Sequence, residues 1–93
     1  MYKVVITKKA QKNLDKLPLQ VLKAVKGKFK VLAEDPFAMP NVKKLTNPAF
    51  FAPDIEAAYR LRVGDYRAIF TIDETVITIT VVRIDHRSQV YKK

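Results

Sequence analysis

The stretch AAYRLRVGDYRAIFTIDETVITITVVRID, residues 57–85, decides how this chain folds. It is rich in Val, Ile, Thr, Tyr and Phe, which suit a pleated, half-buried surface. Gly64-Asp65 and Asp73-Glu74 interrupt it where short reversing turns belong. Three strands joined by such turns are antiparallel neighbours. In YRLRV, residues 59–63, strand alternation puts Tyr59, Leu61 and Val63 on one face and Arg60 and Arg62 on the other. One face therefore needs an apolar cover, while the other carries guanidinium groups.

The cover lies upstream. YKVVIT, residues 2–7, is β-branched and reads as a first strand, with Thr7 placed to cap a helix. Ala10, Leu14 and Leu17 recur at helical spacing. Pro18 ends that helix and opens the first turn of a second. In the second, Val21, Leu22, Val25, Phe29, Leu32 and Ala33 keep the same period, and Gly27 weakens it by about 1 kcal/mol relative to alanine. From Asp35 to Glu56, Pro36, Pro40, Pro48 and Pro53 argue against long regular elements. Phe50 and Phe51, inside that stretch, read as tucked against the core edge. The expected order is β-α-α-β-β-β. This is an α+β fold, with an N-terminal α-hairpin packed on one face of an antiparallel sheet and the other face open.

Residues 1–93 fit a single domain. A chain of this length buries roughly 60–65% of its unfolded surface, enough for one modest core. No apolar run approaches about 18 residues, so no membrane-spanning helix is expected. Lysines follow the short apolar N-terminal piece, the reverse of a secretory signal, so the expected location is cytoplasmic. The absence of cysteine removes disulfides, thiolate catalysis and most structural zinc sites. With a single histidine and scattered acids as well, no metal ion or small-molecule cofactor is expected.

The formal net charge is +9, which favours a polyanionic partner. Its distribution is uneven. Residues 1–34 hold nine lysines and no arginine, whereas all five arginines fall within residues 59–93. Lysine is a hydrated point charge suited to a solvated face, and arginine is a planar fork suited to phosphate. The helices are thus expected to carry a general positive field, and the strands a specific site.

Arg67 lies between Tyr66 and Ala68-Ile69-Phe70, in a strand apolar on both sides. Partial burial is expected, and a buried guanidinium needs an anion or several acceptors. Asp65, Asp73 or Asp85 is a structural candidate, and an RNA phosphate a functional one. The final segment, IDHRSQVY at residues 84–91, places His86 beside Arg87, with Tyr91 four residues on. If the last two strands pair in meander order, Arg83, His86 and Arg87 converge with Arg60, Arg62 and Arg67 on one sheet face or edge. On its own each has a plainer reading: Arg60 and Arg62 as a solvated strand face, His86 as a surface histidine, Tyr91 as a packed aromatic.

Taken together, YRLRVGDYRAIF (59–70) and IDHRSQVY (84–91) resemble the two hallmark segments of RelE-family toxins, within the RelE/ParE superfamily of type II toxin–antitoxin modules. The short first strand and lysine-rich helical pair extend the resemblance over nearly the whole chain. The resemblance implies a ribosome-dependent endoribonuclease that cuts mRNA in the A site. The RNA's own 2′-hydroxyl attacks the adjacent phosphate, without a metal ion. It further implies that Arg67, His86, Arg87 and Tyr91 are catalytic, with Arg67 on the scissile phosphate and Tyr91 stacking on RNA. Arg60, Arg62 and Arg83 would bind RNA, together with the helical Lys8, Lys9, Lys12, Lys26, Lys28 and Lys30. Many relatives have glycine where this chain has Asp85.

The implied partners are an acidic antitoxin protein, ribosomal RNA and mRNA. Two alternatives stand beside this reading. One is a ParE-like toxin that binds DNA gyrase and has no nuclease activity. The other is a non-catalytic RNA-binding domain of the same fold.

Overall fold

The structure, a computed structural model, describes residues 1–45 and 58–86. Phe50 and Phe51 lie outside those residues, as do Arg87 and Tyr91. The elements run β1 (Lys3–Ile6), α1 (Lys8–Asp15), α2 (Leu19–Glu34), β2 (Val42–Lys44), β3 (Tyr59–Val63), β4 (Tyr66–Asp73) and β5 (Thr78–His86). They build one five-stranded sheet in the order β1-β5-β4-β3-β2.

The α+β class and the helical pair on one sheet face are as the sequence implies, but the sheet is mixed and has a further strand. β1 pairs with β5 in parallel, Val4 opposite Ile79 and Ile6 opposite Val81. The chain between them runs through both helices and then β2, β3 and β4, a connection long enough for a parallel pair. β2 is a three-residue strand inside the proline-punctuated stretch, antiparallel to β3, with Lys43 opposite Arg60. It is too short for its alternation to stand out in the sequence.

Thr7 caps α1 as expected, its Oγ1 accepting the Ala10 N–H at 3.2 Å. The same hydroxyl donates to the Val82 carbonyl at 3.4 Å, and Asn13 Oδ1 accepts the Ile84 N–H at 3.0 Å. Helix α1 thus serves the edge of β5 beyond the reach of β1, giving its backbone groups side-chain partners. Pro18 is the N-cap of α2 and not its first helical residue. Ala10, Leu14, Val25, Phe29 and Leu32 pack on Leu61, Val63, Ala68, Phe70, Ile79, Val81 and Ile84 to form the main core.

The β3–β4 turn uses Gly64 at φ +58, a left-handed conformation that L side chains resist by about 1–2 kcal/mol. The β4–β5 turn is longer than the sequence implies. Asp73 Oδ1 accepts the N–H groups of Thr75 (3.0 Å) and Val76 (3.4 Å). This side-chain turn holds residues 74–77 out of the ladder, so β5 begins at Thr78. Val76 and Ile77, apolar and β-branched, are consequently exposed in the turn.

Candidate nucleic-acid interface

Strand pairing places the arginines together. Arg62 lies opposite Arg67, and Arg67 opposite Asp85, forming one row across β3, β4 and β5. The adjacent row on the same face runs Lys43, Arg60, Ile69, Arg83. Four guanidinium groups from three strands therefore share the face turned away from the helices. A small apolar cluster of Ala58 and Ile69, bordered by Leu45 and Val82, packs on that face among them.

A β-bulge makes this arrangement possible. Ile69 pairs with Arg83 and Phe70 with Val81, which leaves Val82 as an extra residue on β5. Before the bulge, the odd residues Ile79 and Val81 point into the core; after it, the even residue Ile84 does. The phase slip is what turns Arg83 and Asp85 to the open face. The sequence carries a signal of it, because the apolar positions run Ile79, Val81, then Ile84 with Val82 beside them. Strict alternation fails there.

Arg67 is the deepest of the four, at 6% exposure, and its Nη1 donates to the Tyr66 carbonyl at 3.4 Å. This fits the burial expected from its apolar neighbours. Arg60 is half-buried and Arg62 exposed. Asn41 steadies β3 from the side: its Nδ2 donates to the Arg62 carbonyl at 3.3 Å, and its carbonyl accepts the Arg62 N–H at 3.1 Å. Arg83 Nε donates to Asp85 Oδ2 in an ion pair. Of the acids considered for the cluster, Asp85 is the one in register with Arg67; Asp65 lies in the β3–β4 turn and Asp73 at the far end of β4.

His86 does not share the arginine face. It pairs with Tyr66 on the last rung of the β4–β5 ladder, and its ring meets Tyr66 edge-on, centroids 5.3 Å apart at 85°. Both rings lie on the helix side, bordering a cleft of about 140 Å³ with Asn13, Lys16, Leu17, Ile84 and Asp85. Alternation explains the separation: Asp85 and His86 are adjacent, so they leave the strand on opposite faces. The imidazole and the guanidinium row are one rung apart along the sheet but on opposite sides of it. The roles expected of Arg87 and Tyr91 fall outside the described residues.

Lys8, Lys9 and Lys12 on α1, and Lys26, Lys28 and Lys30 on α2, are all exposed. They belong to the helical layer, across the sheet from the arginines. Positive charge is thus divided between two sides: mobile ammonium groups outside the helices and clustered guanidinium groups on the strands. No helix among the described residues is long and apolar enough to cross a membrane.

Comparison with known proteins assigns the fold to a family. Residues 4–91 match the family described as the ParE toxin of type II toxin–antitoxin systems. The chain belongs to this family, within the RelE/ParE superfamily of toxins. It is 30% identical to Toxin RelG of Mycobacterium tuberculosis over 93 residues, spanning 99% of this chain and 98% of that protein. It is 32% identical to Toxin RelE of the same organism over 92 residues, spanning 98% and 87%.

Solved structures agree. The toxin–antitoxin complex RelBE2 from M. tuberculosis contains a chain with TM-score 0.72 at 32% identity, covering 92% of this chain and 98% of that one. The archaeal RelE–RelB complex from Pyrococcus horikoshii gives 0.76 at 25%, covering 95% and 97%.

Proposed function

We propose that this toxin is a ribosome-dependent endoribonuclease that cleaves mRNA by attack of the RNA's own 2′-hydroxyl on the adjacent phosphate. The observation that carries the reading is the guanidinium row: Arg60, Arg62, Arg67 and Arg83 on one open face, with Arg67 set into the sheet. Such a reaction accumulates charge on the phosphate oxygens in the transition state. Preorganised cations aimed there stabilise it more than they stabilise the ground state. Arginine stays protonated, so these residues neutralise charge and do not act as the base.

In this reading, Arg62 and Arg83 grip the backbone from either side and Arg67 forms the floor beneath the scissile phosphate. His86 and Tyr91 are the candidates for proton transfer, and Arg87 adds a further cation in the same segment of sequence. An RNA strand on the guanidinium row reaches the imidazole by passing over the end of β5 to the helix side. The exposed lysines of α1 and α2 contact ribosomal RNA on the other side, at distances where a diffuse positive field suffices. The net charge of +9 also suits an acidic antitoxin that orders as it wraps the basic surface. The relatives solved as RelE–RelB complexes support such a partner.

The experiment is a cell-free translation reaction supplied with the purified protein, with mRNA 5′ ends mapped. Cuts within A-site codons that depend on Arg62 support the nuclease. The ParE description of the matching family favours a second reading, inhibition of DNA gyrase by binding. Intact mRNA together with loss of gyrase supercoiling activity decides for that alternative.

A further inference from the structure

The guanidinium row already contains an anion of the protein's own. Asp85 sits opposite Arg67 in the β4–β5 ladder, and its Oδ2 accepts the Arg83 Nε–H. The two members of that ion pair are each about a quarter exposed, 27% for the Arg83 side chain and 24% for Asp85. The carboxylate is thus held at the point where a phosphate engaging Arg83 would lie, and it is reachable from solvent. The pair is part-buried but open to solvent on one side, so an incoming phosphate can exchange for the carboxylate on Arg83.

We propose that Asp85 is a built-in competitor for the RNA phosphate. The backbone engages Arg83 by displacing the Asp85 carboxylate, which lowers affinity for any RNA that cannot also occupy the neighbouring Arg60 and Arg62. This deepens the phosphate-binding reading of the same face and rests on it. The consequence is selectivity. A lone phosphate or short anion gains one guanidinium and loses one internal pair, a nearly balanced exchange. A single strand spanning several phosphates adds contacts to Arg60 and Arg62, which have no ion pair to displace among the described residues. The bulge at Val82 underlies the device, since it brings Arg83 and Asp85 to this face together.

The test uses the full chain and a ten-nucleotide 2′-O-methyl oligonucleotide, which binds but is not cut, with binding followed by fluorescence anisotropy across a salt series. Asp85→Asn is expected to bind about tenfold more tightly, through one net positive charge released to the backbone. Its log-affinity against log-salt slope should be unchanged, because Arg83 meets the same phosphate in both proteins. Glu34→Gln makes the same charge change at the exposed end of α2 and is expected to gain much less. In an Arg83→Ala background the Asp85→Asn gain should vanish, because coupled residues are not additive.

Equal gains in Asp85→Asn and Glu34→Gln, or a gain that survives loss of Arg83, overturn the proposal. Should Asp85→Asn fold poorly, wild-type protein answers the question by NMR. The Arg83 Nε–H resonance must move as the oligonucleotide saturates, and a stationary resonance at saturation overturns it equally. The outcome is separable from the nuclease reading. Tighter binding without any mRNA cleavage keeps the competitor and removes the nuclease, whereas cleavage with unchanged binding does the reverse.

Discussion

The two faces of the sheet are made from the same strands and obey different rules. On the helix side, Leu61, Val63, Ala68, Phe70, Ile79, Val81 and Ile84 are buried together, and Val25, Phe29 and Leu32 close over them. On the other side, residues one position away carry Arg60, Arg62, Arg67, Arg83 and Asp85 around the small apolar cluster of Ala58 and Ile69. Burial of apolar area stabilises the first face, at about 25 cal/mol per Å². The second gathers like charges that repel one another and are balanced in part by the Asp85 carboxylate, so its arrangement is not explained by stability. Clustering of this kind points to a ligand that brings negative charge.

That contrast can be broken most severely by reversing one residue of the buried face. Val81→Arg puts a guanidinium on the fully buried helix side of β5, and it is expected to abolish cooperative folding, seen as loss of a thermal transition by circular dichroism. Deleting Val82, by contrast, removes the extra residue and leaves Ile79, Val81 and Ile84 on the helix side with Arg83 and Asp85 opposite. A Val81→Arg variant that melts normally would show that the faces are set some other way.

Next in size is Phe70→Ala, which removes a fully buried ring that stacks on Tyr59 at 5.8 Å. It is expected to cost about 3–5 kcal/mol, read from urea denaturation. A loss below about 1 kcal/mol would mean that the core closes over the gap or that Phe70 is not central to it.

Arg62→Ala should behave in the opposite manner. Stability should stay within about 0.5 kcal/mol, because the side chain is exposed, while mRNA cleavage falls about 100-fold. Equal retention of both properties would make Arg62 a solvated strand residue and nothing more.

His86→Ala sharpens the question of how the two sides cooperate. The single-turnover cleavage rate is expected to fall about 100-fold, with little change in ribosome affinity. A parallel loss of affinity and rate, together with a lower melting temperature, would reduce His86 to a packing partner of Tyr66.

The smallest effect belongs to the cap. Thr7→Ala removes the acceptor for Ala10 N–H and the bond to Val82, and about 1 kcal/mol of stability should go with it. Cleavage per folded molecule should be unchanged.

Much of this was legible residue by residue. The 3.6-residue spacing of Ala10 and Leu14, and of Val25, Phe29 and Leu32, identified the buried side of each helix, and period two in YRLRV separated Leu61 from Arg62. Arg67 was readable as buried because of what flanks it. Three features were not readable in the same way. β2 is only three residues long, and the β1–β5 pairing joins segments some 75 residues apart with no local trace of direction. The facing of His86 is not legible from its neighbours, because proximity to Arg87 and Arg83 in the chain does not bring side chains together in space. Adjacent residues on a strand diverge, and the bulge at Val82 decided which of them faced the arginines.

Local periodicity and turn chemistry by themselves determined the helices, the hairpins, the apolar core and the separation of lysine from arginine along the chain, because each depends on neighbours within a few residues. The tertiary structure alone decided the strand order, the phase slip at Val82, and hence that Arg60, Arg62, Arg67, Arg83 and Asp85 meet on one face while His86 turns to the other. Those outcomes depend on which strands share hydrogen bonds and in what register, a long-range choice settled by burying Ile79, Val81 and Ile84 together against the helices.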